Sequence, residues 1–121
     1  MTWGEEYRRK RMSAAEALEA VESGARVWIQ SGCGTPSVLV NALVARAPKV
    51  RDVEIVHMMT LGSADYTRPE YQGHFRHRGL FLGANVREAV AAGRADYTPI
   101  FLSEIEGLIE SGAMPLDVVL M

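Results

Sequence analysis

Apolar and polar positions along this chain follow two alternating rhythms: short, solid apolar runs, and longer stretches with a helical period. Arg26–Gln30, Val53–Met59, Tyr97–Leu102 and Leu116–Met121 are the runs, and each reads as a strand, as does Arg76–Leu82, whose first half is charged. Val53 to Met59 is almost continuously apolar, as in a strand covered on both faces. Pro99 assigns 97–102 to a sheet edge or a strand end, because proline donates no ladder hydrogen bond. The periodic stretches predict helices over 3–11, from Ser13 to Gly24, over 36–47, from Asn85 to Gly93 and from Ser103 to Gly112. Ser13–Glu16, Asn85–Glu88 and Ser103–Glu106 each carry the spacing of a capping box. Thr35 is placed to cap helix 36–47, with Pro36 at its first position, where no amide donor is needed. That helix is apolar on most sides, which predicts cover on two faces. Residues 60–75 have no period and make a longer connection than compact domains ordinarily use. It reads equally as a lid, an interface or a packed surface loop.

Strands alternating with capped helices predict an α/β fold, with a mostly parallel sheet and helices on both faces. The last run is apolar on both faces and reaches the final residue. The chain therefore reads as the front part of something longer, with residues 1–121 forming an incomplete N-terminal domain.

Composition narrows the class. The 121 residues are 48% hydrophobic and 23% charged, a globular balance. The net charge of −2 gives no field that would draw in nucleic acid or an anionic membrane. No apolar run approaches the roughly 20 residues of a membrane span, and the charged N-terminus lacks a secretory core segment. A single cysteine, Cys33, fits a reducing cytoplasm.

Ligands of open parallel sheets bind beyond the carboxyl ends of the strands. The segments leaving those ends are 31–36, 60–66, 83–87 and 102–104. Ser31-Gly-Cys-Gly-Thr-Pro36 is the leading candidate. Gly32 and Gly34 are expected to take positive φ and to allow close backbone approach, and the following helix aims its free amides at the same spot. A carboxylate, thioester oxygen or phosphate suits such a turn, although the same residues also describe a plain strand-to-helix connection. Thr60, Tyr66 and Asn85 are candidates by the same rim argument. Cys33 has no identifiable basic partner. His57 reads as a hydrogen-bonded core histidine. His74 and His77 fall on opposite faces of a strand, which disfavours a shared metal, and none is expected.

Four segments carry a family resemblance: Val53–Gly62, Gly73–His77, Phe81–Val90 and Gly93–Ile105. Together they resemble the acetyl-CoA hydrolase/transferase family, which includes 4-hydroxybutyrate and acetate CoA-transferases, and the likeness runs in order along the whole chain. It implies a class I CoA-transferase fold and a ping-pong exchange of coenzyme A between an acyl-CoA and a short carboxylate, through a glutamyl-CoA thioester. It also implies that the nucleophilic glutamate and most CoA-binding segments lie outside these residues. None of Glu54, Glu70, Glu88, Glu104 or Glu106 matches that glutamate. The partners implied are the acyl-CoA and carboxylate substrates and the remaining part of the enzyme; a homo-oligomer is expected separately, because strand 116–121 and helix 36–47 carry more apolar surface than a small incomplete domain can bury. Under the resemblance, Ser31, Gly32, Gly34, Thr35 and Pro36 face the acyl pocket, with Ser31 the favoured side-chain contact. A CoA-ester hydrolase, and a non-catalytic anion-binding or interaction domain, are the competing readings.

Overall fold

The computed structural model describes residues 2–121. Five parallel strands form one sheet: β1 (Arg26–Ile29), β2 (Val53–His57), β3 (Phe75–Gly79), β4 (Ala95–Tyr97) and β5 (Val118–Leu120). Their spatial order is β4-β3-β2-β1-β5. The chain builds outward from β1 through three strands, then crosses back to place β5 on the other side of β1. The reversal point lies between β1 and β5, and in open α/β sheets the crevice at that point is the usual ligand site.

Period-2 alternation decides which side chains meet. Val27, Ile29, Val53, Ile55, Phe75 and Leu120 share one face, covered by Leu18 of the 3-10 turn (Leu18–Ala20) that continues the second helix α2 (Ala14–Ala17), by Val40 and Leu43 of α3 (Ser37–Ala45) and by Val86 of α4 (Ala84–Ala91). The other face has a smaller core of Val56, Leu80 and Met114, with Trp28 and the half-buried Ile105 and Leu108 of α5 (Ile105–Glu110) against it. The first helix, α1 (Trp3–Lys10), has a complete capping box from Thr2 and buries no residue.

That second face also carries charge. Glu54 accepts from Arg78 Nε at 2.6 Å and from Arg26 Nε on the opposite neighbouring strand, so one carboxylate braces three strands. Partial burial pushes the Glu54 carboxyl upward, but hydrogen bonds from Arg78 and Arg26 outweigh this and hold it below the usual range. Glu54→Ala leaves two half-buried guanidinium groups without their acceptor. We expect it to lower unfolding stability by about 1–3 kcal/mol, read as a lower urea midpoint.

Several element boundaries differ from the sequence expectation. The strand expected at 97–102 lies at Ala95–Tyr97. Its chain leaves the ladder once Thr98 N–H has donated to Gly79 O, just ahead of Pro99. The last strand is limited to Val118–Leu120 and the third to Phe75–Gly79. Ser103 lies inside a 3-10 turn, Leu102–Glu104, and does not cap α5. The reciprocal bond there is Glu104 accepting from Phe101 N–H at 3.2 Å. Helix α3 is covered at Val40 and Leu43, while Val38 is 72% exposed, so its cover is one-sided within the described residues. The 60–75 connection is packed: 3-10 turns at Asp65–Thr67 and Pro69–Tyr71 bury Tyr66 to 2% exposure.

Candidate functional site

The loops leaving the carboxyl ends of β1, β2 and β3 are tied into one rim. Backbone bonds set the frame. Gln30 N–H donates to Leu120 O at 2.9 Å, and Gly32 N–H to Met59 O at 2.7 Å, so the β1 exit runs alongside both β5 and the β2 exit. Side chains then close the frame. Ser31 Oγ accepts from the amides of Met58 and Met59 at 3.2 and 3.3 Å. Thr35 Oγ1 donates to Gly32 O at 2.7 Å and accepts from Leu61 N–H at 3.2 Å. From the other side, Asn85 Nδ2 reaches Thr60 O, Thr60 Oγ1 and Gly62 O at 3.3, 3.4 and 3.1 Å.

These contacts correct three local expectations. Asn85 does not cap α4. Gly83 holds that position without a side-chain bond, and Asn85 sits one turn-step inside, bonded across to the β2 exit. Gly83 is suited to the place, because an added Cβ would lie 2.9 Å from Asn85 Oδ1 and 3.4 Å from Met59 Cγ. Thr35 does not cap α3 either. Pro36 occupies the N-cap position rather than the first turn, and Thr35 spends its hydroxyl on the rim. Gly32 takes a left-handed φ of 62°, as expected, but Gly34 is not among the positive-φ glycines.

The structure thus brings Ser31, Gly32, Thr35, Thr60 and Asn85 together around the 58–62 turn. Gly34 and the half-buried Pro36 lie on the outer part of the β1 exit. Tyr66 lies beneath the rim, its hydroxyl 2.8 Å from His57 Nε2. A depression of about 220 Å³ opens between Met59–Gly62 and Gly83–Asn85. Beside it, Met58, Met59, Leu80, Phe81, Ile100, Leu102 and Ile105 line a mostly apolar cavity of about 320 Å³. Cys33 is exposed on the same loop.

Sequence reasoning placed His57 as a hydrogen-bonded core histidine, as found, but missed that it meets His77 and Tyr66 in a polar floor to this rim. His57 and His77 are 0% and 1% exposed, and their rings stack with centroids 4.1 Å apart. His77 Nδ1 bonds Ile55 O at 3.0 Å, and His57 Nε2 lies 3.4 Å from Thr60 Oγ1. Burial, reinforced by His77, pushes the His57 pKa down to about 3, and burial brings His77 down to about 4. Burial raises the Tyr66 phenol to about 12. All three groups are therefore neutral near pH 7. Only the register reveals the cluster: Ile55 aligns with His77 and His57 with Gly79, which places the two imidazoles on one face one step apart. Among the described residues no three His, Cys, Asp or Glu side chains converge as a metal site would need, and no helix is long and apolar enough to cross a membrane.

Comparison with known proteins adds the family. The acetyl-CoA hydrolase/transferase N-terminal domain matches residues 1–121. A 4-hydroxybutyrate coenzyme A transferase of Clostridium kluyveri is 42% identical over 121 residues, covering 100% of this chain and 28% of the relative. A succinyl-CoA:acetate/propanoyl-CoA:succinate CoA transferase of Fasciola hepatica is 40% identical over 108 residues, covering 88% of this chain and 22% of the relative. A crystal structure of a 4-hydroxybutyrate CoA-transferase from Porphyromonas gingivalis superposes with a TM-score of 0.73 at 24% identity, over 98% of this chain and 26% of that one, which supports the fold. The chain thus spans between a fifth and a third of the length of these relatives. By sequence along its whole length and by fold, it belongs to the acetyl-CoA hydrolase/transferase family, as part of the N-terminal domain.

Proposed function

We propose that this chain is the N-terminal part of a CoA-transferase. It forms one wall of the pocket where an acyl-CoA thioester meets a short carboxylate of the 4-hydroxybutyrate, acetate or butyrate type. The observation that carries this reading is the rim itself. The exits of β1, β2 and β3 are cross-bonded beyond the carboxyl ends of the strands, and the β2 and β3 exits border the depression between Met59–Gly62 and Gly83–Asn85.

In such an exchange a glutamate carboxylate adds to the thioester carbonyl and expels CoA thiolate, leaving an acyl-glutamyl anhydride. The thiolate then attacks the glutamyl carbonyl, releasing the free acid and leaving a glutamyl-CoA thioester. The acceptor carboxylate reverses both steps. The contribution of this chain is placement. Ser31 Oγ, Thr35 Oγ1 and Asn85 Nδ2 are each bonded to the 58–62 turn, so they hold a fixed wall against which the reacting carbonyl is oriented. Ser31 is accordingly read as a residue that shapes the wall. Transfer is favoured over hydrolysis because the named relatives are transferases.

No glutamate lines the depression between Met59 and Asn85. We therefore expect no CoA transfer by the purified 121-residue chain from butyryl-CoA to labelled acetate. Turnover above background by the chain alone would overturn the placement of the nucleophile outside these residues.

A further inference from the structure

Beneath the rim lies an arrangement that ordinary core packing does not call for. Two imidazoles are stacked in the interior, and among the described residues one nitrogen of each finds no hydrogen-bond partner: Nδ1 of His57 and Nε2 of His77. Apolar side chains of similar volume would fill this space without that cost, since each unsatisfied buried polar atom costs of the order of 1–3 kcal/mol. What the imidazoles supply instead is direction. Tyr66 Oη and His57 Nε2 share a hydrogen bond at 2.8 Å, and Thr60 Oγ1 converges on the same nitrogen at 3.4 Å. Thr60 is the residue that Asn85 grips from above and whose neighbour Met59 accepts the Gly32 amide. A polar chain thus runs from Tyr66 through His57 and Thr60 to Asn85, from the buried floor to the first turn of α4. Sterics fix its geometry as well: Gly79 has no Cβ, and one placed there would lie 3.2 Å from His77 Nε2 and 2.9 Å from Leu82 Cδ2.

We propose that His57 and Tyr66 are positioning residues: their buried hydrogen bond fixes the 58–62 turn, and through it the wall offered to substrate, rather than contributing to the stability of the fold. Its bearing on catalysis rests on the acyl-pocket reading above. The positional claim itself does not, so the two fail separately.

The test is amide hydrogen exchange by NMR on the 121-residue chain, comparing wild type, Tyr66→Phe and the double substitution His57→Leu/Tyr66→Phe. Removing both polar partners at once leaves no orphan between them, so the double variant should keep or raise the urea midpoint. Its rim amides at Gly32 and Leu61 should nonetheless exchange at least about tenfold faster, while sheet amides such as Val53 and Glu54 keep wild-type protection. Tyr66→Phe, which deletes one oxygen and no volume, should shift the same rim amides in the same direction. The proposal is overturned if rim and sheet amides change together, if the rim amides do not change in either variant, or if the double variant fails to fold. The last result would make the pair structural.

Discussion

Between pH 6.5 and 4.5 the chain is expected to lose a few kcal/mol of unfolding stability, a large share of what a domain of this size has. The cause is the buried histidine pair. In the unfolded chain each imidazole protonates near 6.5, while in the folded chain burial holds His57 down to about 3 and His77 to about 4. Above about pH 7.5 both states carry neutral rings, and the pair contributes no pH dependence. Below it the unfolded state takes up protons that the native state refuses. Each histidine then lowers stability by about 1.4 kcal/mol per pH unit until its folded value is reached. The lowered Glu54 carboxyl acts only at lower pH, below the ordinary carboxylate range, so the histidines govern the first limb. Urea midpoints measured at intervals from pH 7.5 to 4.5 should fall along this slope, and His57→Leu should remove about half of it. A midpoint that stays level down to pH 5 would show that the imidazoles are hydrated or paired in solution.

Gly32→Val is expected to lower kcat/KM about a hundredfold in a complete enzyme carrying this chain, with smaller changes in folding. Gly32 has φ of 62°, where a β-branched residue is strained by about 1–3 kcal/mol, and its amide donates to Met59 O at 2.7 Å. Relief of that strain must move the β1 exit against the 58–62 turn, and misplacement of a reacting group by about 1 Å has costs of this size. Gly34→Val should be milder. A Cβ there meets Gln30 Cγ at 3.0 Å, part of an exposed side chain that can change rotamer, and Gly34 is not in the left-handed region. The measurement is kcat/KM with several carboxylate acceptors for both variants, with thermal unfolding checked separately. Equal effects at the two glycines would mean that the backbone conformation at Gly32 does not set the wall.

Three of the strands were legible because β1, β2 and β5 fall in short runs rich in Val, Ile and Leu between helically periodic stretches, a signal that depends only on neighbours in sequence. The order β4-β3-β2-β1-β5 was not, because nothing local states that the chain crosses back over β1 before β5. Asn85 and Thr35 show the same limit at the level of one side chain. Each stands where a cap is expected, yet each is drawn instead to the β2 exit some 25 residues away, at Thr60–Gly62 and Leu61. Capping and cross-loop bonding use the same residue types, so only the folded position separates them. His57, His77 and Tyr66 are spread over 21 positions and meet through strand register, which sequence period does not encode. The strand ends moved for a simpler reason: Pro99 and the short final pairing limit the ladder where apolar character continues.

The most direct test of the account is a segment exchange. The N-terminal part of the Clostridium kluyveri 4-hydroxybutyrate coenzyme A transferase that this chain matches is replaced by residues 1–121, a span 42% identical and of equal extent. Transfer of CoA from butyryl-CoA to labelled acetate and to 4-hydroxybutyrate is then measured. If the rim formed by Ser31–Pro36, Met58–Gly62 and Gly83–Asn85 is a wall of the acyl pocket, the chimera turns over, and Gly32→Val within it does so about a hundredfold more slowly. A folded chimera without transfer, or one whose rate and acceptor preference ignore substitutions in this rim, would contradict it.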